Sequence, residues 1–77
     1  MYFVYLLQCA DKSIYTGITT NIERRFQEHK DGIGSNYTRA HKAVKILHTE
    51  EYKNRSEASK REAEIKKMKR EEKLKLT

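Results

Sequence analysis

The sequence is short of nearly everything that small proteins use to staple themselves together. Its 77 residues contain one cysteine, no proline and no tryptophan. A single thiol, Cys9, cannot close an internal disulfide, and without a second cysteine a zinc cluster has no start. A lone thiol also suits a reducing compartment better than an oxidising one. The longest apolar run, Tyr2 to Leu7, is far below the ~20 residues that span a bilayer. No basic stretch precedes it, so it does not read as a secretory signal, and a cytoplasmic protein with no membrane partner is expected. At this length one domain over residues 1–77 is expected, burying only ~60% of the surface its unfolded chain exposes. With 36% hydrophobic residues, folding must come from compact, ordered elements.

What is abundant is positive charge. Seventeen Lys and Arg against eleven Asp and Glu leave a formal net charge of +6. Residues 1–40 carry a balance of +1 and residues 41–77 a balance of +5, mostly between Lys53 and Lys75. Many Lys/Glu runs are solvated helix faces, and pairs such as Glu62 and Lys66 cancel locally. The surplus that survives pairing points to a polyanion, nucleic acid ahead of an anionic membrane surface.

Tyr2–Gln8 is aromatic and branched, apolar on both faces, and reads as a central strand. A polar turn, Cys9–Lys12, leads into a second strand, Ser13–Thr19, and the two form an antiparallel hairpin. Gly17 inside the second strand removes a side chain where another group approaches the backbone. Thr20 and Glu23 fit a capping box for a helix from Asn21 to about Lys30, which Gly32 would stop. Residues 31–42 read as a loop, Ala43–Thr49 as a third strand, and Ser56 to about Arg70 as a long helix. Residues 71–77 extend that helix or form a separate short one. The order β-β-α-β-α(-α) predicts a small α+β domain with a three-stranded antiparallel sheet flanked by helices.

Both helices carry polar groups on faces where carbon is expected. On the first, Ile22, Arg25, Phe26 and His29 form one stripe at helical spacing. Ile22 and Phe26 are its only large apolar residues, so their side must face the sheet and carry Arg25 and His29 inward or to the rim. Arg25 can instead lay its methylenes over the core with its guanidinium in water. The pairing with His29 one turn later favours a site. On the second helix Ala58, Ile65 and Met68 define the apolar arc, with Glu62 on its edge and Glu64 pointing away. Such a carboxylate is paired with a base, Lys66 being at hand, or bound to a cation. Tyr5 and Tyr15, on either side of the hairpin turn, can stand as neighbours on one face. For Tyr2 and Tyr52 ordinary packing is expected. His41 and His48 lack ligand-like spacing and read as loop and strand-edge residues, and Cys9 as structural.

Phe3-Val4-Tyr5, then Tyr15-Thr16-Gly17, then Arg25, His29 and Glu62, resemble the GIY-YIG endonuclease superfamily. The likeness spans essentially the whole chain and is greatest to the short stand-alone bacterial subgroup resembling the N-terminal nuclease of the excision-repair incision enzyme. The resemblance implies a nuclease hydrolysing phosphodiester bonds with one divalent ion, Mg²⁺ or Mn²⁺. It implies Tyr5, Tyr15, Arg25 and His29 as catalytic residues, with Glu62 on the metal. Of the two tyrosines either can be the base near the attacking water, and the arginine steadies the phosphate. A tyrosine at its ordinary pKa of ~10 is a poor base at neutral pH. A nearby cation would have to lower it, or His29 relay the proton.

Nucleic acid, DNA ahead of RNA, is the implied partner. Its expected contacts are Arg39, Arg61, Lys66, Lys67, Lys69 and Arg70, with Tyr37 and Thr38 in a substrate loop. Two departures stand out. Phe3 and Val4 replace the glycine and isoleucine of the first motif, and no asparagine follows Glu62 where many members carry one. Without an appended DNA-binding module, structure-specific or weakly sequence-specific cleavage in repair or recombination is expected. Other readings are a non-catalytic nucleic-acid-binding module on the same scaffold, or a basic surface for an acidic protein partner.

Overall fold

The computed structural model describes residues 1–77. Strand β1 (Tyr2–Cys9) lies at the centre of a three-stranded antiparallel sheet of order β2-β1-β3. Its apolar run is explained by that position: both faces are covered, and Val4, Leu6 and Leu7 are fully buried. Strand β2 (Ile14–Thr19) pairs with it through Tyr5↔Gly17 and Leu7↔Tyr15. In the turn Lys12 takes a positive φ of 70°, and the Asp11 carboxylate accepts the Ser13 N–H. Strand β3 (Ala43–Tyr52) runs along the other side from Cys9↔Ala43 to Tyr2↔Tyr52.

Alternation along β1 gives the sheet two unlike faces. Val4 and Leu6 pack against Ala58 and Ile65 of helix α3 (Arg55–Lys66), with Ile18, Leu47 and Met68 around them. Tyr5 points the other way, toward helix α1 (Ile22–Lys30), where its hydroxyl meets His29. Cys9 is 1% exposed and burial raises its thiol pKa, so the lone cysteine behaves as a packed residue. No helix is long and apolar enough to cross a membrane.

The β-β-α-β-α order stands as read from sequence, and the differences lie in caps and short elements. Helix α1 is capped by Asn21, whose side chain accepts the Arg24 N–H, and not by Thr20 in a box with Glu23. Asn21 wins because its backbone is extended, at φ −146° and ψ 102°, while Thr19 Oγ1 holds its N–H. The helix does stop at Gly32, which takes φ 79°. The Gly32 N–H donates to the His29 carbonyl and the Ile33 N–H to that of Glu28.

Residues 31–42 are not all loop. They contain a six-residue helix, α2 (Asn36–His41), whose cap Ser35 accepts the Thr38 N–H. One and a half turns are too few to show a period. The third strand continues three residues past Thr49, because the Glu50 carboxylate it carries is satisfied by Arg61, Tyr52 and His48. Helix α3 starts at Arg55 under the Asn54 cap, one residue before Ser56, and ends at Lys66 rather than near Arg70. A separate helix, α4 (Arg70–Leu74), follows.

Candidate active site

The α1 stripe turns out to be anchored by its polar member. Ile22 and Phe26 are only half-buried, and His29 alone on this helix is buried. Its Nε2 lies 2.8 Å from the Tyr5 hydroxyl and its Nδ1 2.7 Å from Thr38 Oγ1. Tyr5, His29 and Thr38 are 3%, 1% and 1% exposed, so this chain of hydrogen bonds is sealed from bulk water. Thr38 Oγ1 has the Ser35 carbonyl as its own acceptor at 3.3 Å. The His29 Nδ1–H therefore donates to Thr38, and Nε2 accepts the Tyr5 proton.

Two glycines make room for the chain. A Cβ on Gly17 would overlap the Tyr5 hydroxyl, and one on Gly34 would overlap the His29 ring. The approach that Gly17 implied is thus that of the tyrosine on the neighbouring strand. Gly34 also offers its carbonyl to Arg25 Nη2 at 2.7 Å, while Arg25 Nη1 bonds Glu28 at 3.1 Å.

The tyrosines are neighbours, as expected. The Tyr5 and Tyr15 rings lie 6.3 Å apart, and the Tyr15 ring lies 5.0 Å from that of His29. Tyr15 is half-buried where Tyr5 is closed in. Beyond Tyr15 the aromatic packing continues to Tyr37 at 5.7 Å, and Tyr37 stacks on His41 at 4.2 Å. His41 also bonds Asp11, and so is more than a loop residue.

Burial raises the Tyr5 pKa to about 12, and the nearby Arg25 guanidinium only partly offsets this. Burial, followed by the Arg25 charge, depresses His29 to about 4. At neutral pH both members are uncharged. Arg25 does lower the Tyr5 pKa, but desolvation outweighs the cation and the net shift is upward.

Glu62 stands apart from this chain. It is on α3, with a side chain 22% exposed, and its carboxylate meets Lys66 Nζ at 3.3 Å. It makes no hydrogen bond to Tyr5, Arg25 or His29, although its charge is among those felt at the Tyr5 hydroxyl. No three His, Cys, Asp or Glu side chains cluster to cage a metal. A single carboxylate suits a hard ion that keeps its waters and takes substrate oxygens, as Mg²⁺ and Mn²⁺ do. It does not suit Zn²⁺, which wants three or four protein ligands.

The basic residues separate into free and engaged. Arg61 is committed to Glu50 through Nε at 2.8 Å and Nη2 at 3.2 Å, and holds that carboxyl near pKa 2 together with Tyr52 and His48. Lys66 is engaged by Glu62. Arg39, Lys67, Lys69 and Arg70 are exposed, as is Tyr37. Thr38, expected in a substrate loop, is instead the buried partner of His29.

The one sizeable cavity near Arg25, about 380 Å³, shares only that residue with the set above. It also takes in Arg24 and Arg55, which sequence periodicity did not single out. They project from different elements, so no local spacing relates them.

The family model of the GIY-YIG catalytic domain matches residues 1–75. The chain belongs to this family. Within the GIY-YIG proteins it is 52% identical over 75 residues to the UPF0213 protein of Syntrophus aciditrophicus, covering 96% of this chain and 86% of that one. With the UPF0213 protein of Natronomonas pharaonis it shares 48% over 75 residues, covering 97% and 88%. Two solution NMR structures resemble this GIY-YIG fold. The Enterococcus protein (E. faecalis) gives a TM-score of 0.65 at 45% identity, covering 96% of this chain and 79% of that one. The UPF0213 protein of Bacillus halodurans gives 0.61 at 38%, covering 99% and 82%. The GIY-YIG family is nuclease-like and acts on nucleic acid, generally with a divalent metal ion, while the UPF0213 name carries no activity.

Proposed function

We propose that this chain is an endonuclease-like phosphodiester hydrolase acting on DNA with one divalent ion. Structure-specific or weakly sequence-specific substrate choice and a role in DNA repair or recombination complete the reading. The observation that carries it is the sealed hydrogen bond between Tyr5 and His29, 2.8 Å long, with the Arg25 guanidinium beside it. Burying such polar groups beside the fully buried Leu7 costs stability, which chemistry would explain and folding would not.

Each residue has a task suited to its surroundings. Arg25, held on the Gly34 carbonyl, presents its remaining donors to a phosphate. Tyr15, the more open of the two tyrosines, faces the attacking water. Tyr5, protonated up to about pH 12, holds the pocket through neutral His29 and Thr38. A phosphate drawn against Arg25 offsets only the smaller of the two influences that depress His29, so burial keeps the imidazole neutral and in its positioning role. Glu62, released from Lys66, would hold Mg²⁺ or Mn²⁺. That ion would supply positive charge for the departing alkoxide oxygen.

The test is cleavage of branched, nicked and single-stranded DNA with Mg²⁺ or Mn²⁺, comparing wild type with Glu62→Gln. Loss of cutting in the variant supports the reading, and equal cutting by both proteins points to a contaminant and sinks it. A second reading, a nucleic-acid-binding module without turnover, draws on the Glu62–Lys66 ion pair at 3.3 Å, which already satisfies the carboxylate. It predicts salt-sensitive binding indifferent to Glu62→Gln.

A further inference from the structure

A cavity of about 380 Å³ opens at the end of the sheet marked by Tyr2 and Thr19, between the two helix layers. Its charged lining is Arg24 and Arg25 from α1, Arg55 from the start of α3, and Glu28. Glu28 is already bonded by Arg25 at 3.1 Å. The side chains of Arg24 and Arg55 have no hydrogen-bond or ion-pair partner anywhere in the chain, so two guanidiniums face one space uncompensated. Both residues are exposed, and each guanidinium offers paired donors to an incoming phosphate. The remaining wall includes the Tyr2 ring and the Ile18 side chain, a flat apolar surface beside the cationic rim.

A charged rim beside an aromatic wall matches a nucleotide, whose phosphate is anionic and whose sugar and base present flat apolar area. The volume falls at the lower end of small-ligand cavities, ~300–1,000 Å³, and suits one nucleotide rather than a duplex. Position agrees as well. Arg25 forms a wall shared with the Tyr5–His29 pocket, and Thr19 lies two residues along β2 from Gly17, about 7 Å at strand rise. Neighbouring phosphates of one strand are separated by a similar step.

We propose that this cavity is a nucleotide subsite flanking the phosphate that Arg25 holds. Arg24 and Arg55 grip the adjacent phosphate, and Tyr2 with Ile18 receives the attached nucleoside. The proposal rests on the nuclease reading for the identity of the strand, but not for turnover. Tyr2 is then a specificity-bearing surface in addition to a packed strand residue. Arg24, set aside on helical periodicity alone, works at the rim while its neighbour works at the centre.

The experiment separates the subsite from the chemistry by measuring binding in EDTA, where no metal-dependent cutting occurs. A single-stranded oligonucleotide is titrated against wild type, Arg24→Ala/Arg55→Ala, and Lys45→Ala/Lys60→Ala as an exposed control with the same loss of charge. The subsite predicts that removing the two arginines weakens binding about tenfold or more. It also predicts a fall of ~0.7 in the slope of log K against log salt, the value for one phosphate contact on a single strand. The control is expected to change the affinity by less than about threefold. In parallel, NMR titrations use the dinucleotide pTpT and inorganic phosphate. The dinucleotide is expected to move the Tyr2 and Ile18 resonances along with Arg24 and Arg55, whereas inorganic phosphate moves only the arginines.

Equal losses in the two double variants, or pTpT shifts confined to residues 66–70, overturn the subsite. If wild type cuts DNA while Arg24→Ala/Arg55→Ala binds as tightly as wild type, the subsite falls and the nuclease reading stands. If wild type neither binds nor cuts, both fall together.

Discussion

The two faces of the sheet both hold fully buried residues and differ in their chemistry. On one, Val4 and Leu6 pack against the hydrocarbon of Ala58 and Ile65, with Thr16 opposite Leu6 and the Glu50–Arg61 ion pair opposite Val4. On the other, Tyr5, His29 and Thr38 are as deeply enclosed but joined by directional bonds of 2.7–2.8 Å. Hydrocarbon contacts are tolerant of small shifts and supply most of the folding free energy. The polar face is intolerant, since both His29 ring nitrogens and the Tyr5 hydroxyl are held by directional bonds and two glycines leave no slack. One face holds the domain together, and the other holds a geometry.

That contrast can be broken from either side. The largest effect is expected from Tyr15→Phe, which removes one half-buried hydroxyl. DNA cleavage is expected to fall by ~10²–10⁴ while the urea midpoint moves by no more than ~0.5 kcal/mol equivalent. The mirror experiment is Leu6→Ala, expected to cost ~2–5 kcal/mol in urea denaturation. In such a small domain that is a large share of the total, yet cleavage per folded molecule is expected to persist. A Tyr15→Phe variant that unfolds, or a Leu6→Ala variant that folds fully and does not cut, would erase the division.

Acid acts on the two faces in different pH windows. His29 has its pKa depressed to about 4 from an ordinary value of 6.5, so between those pH values the unfolded chain binds a proton that the native one refuses. Stability is therefore full above about 6.5 and declines as pH falls, by ~1.4 kcal/mol per unit through that window. Glu50, held near 2 by Arg61 on the opposite face, adds a second decline between its ordinary 4.5 and about 2. Urea melts from pH 7 to 2 are expected to show the upper decline in wild type and to lose it in His29→Gln. A Glu50→Gln variant keeps the upper window and flattens the lower. The smallest effect belongs to Thr16→Val. Thr16 Oγ1 is the one buried side-chain polar atom without a partner, and exchanging it for a methyl is expected to stabilise by about 1 kcal/mol at most.

What could be read before folding was what repeats at a fixed spacing. The central strand, the hairpin and the inward stripe of Arg25 and His29 follow from periods of two and 3.6. Glu62 was placed on the edge of its arc for the same reason. Helix α2 was invisible because six residues carry no period, and with it went the identity of Thr38 as the partner of His29. Arg61 looked free because Glu50, which takes it, lies eleven residues earlier on a strand. Arg24 and Arg55 meet only when α1 and α3 are laid on opposite sides of the sheet.

The pairing of Tyr2 with Tyr52 has a consequence for how the chain is made. The β1–β2 hairpin is complete once Thr19 has left the ribosome, but a lone hairpin is marginal in water. The second edge of β1 must wait for Ala43–Tyr52. At ~5–20 residues per second the nascent protein spends several seconds with that sticky edge uncapped. During translation, then, the strand that becomes the best protected part of the molecule is its most exposed liability.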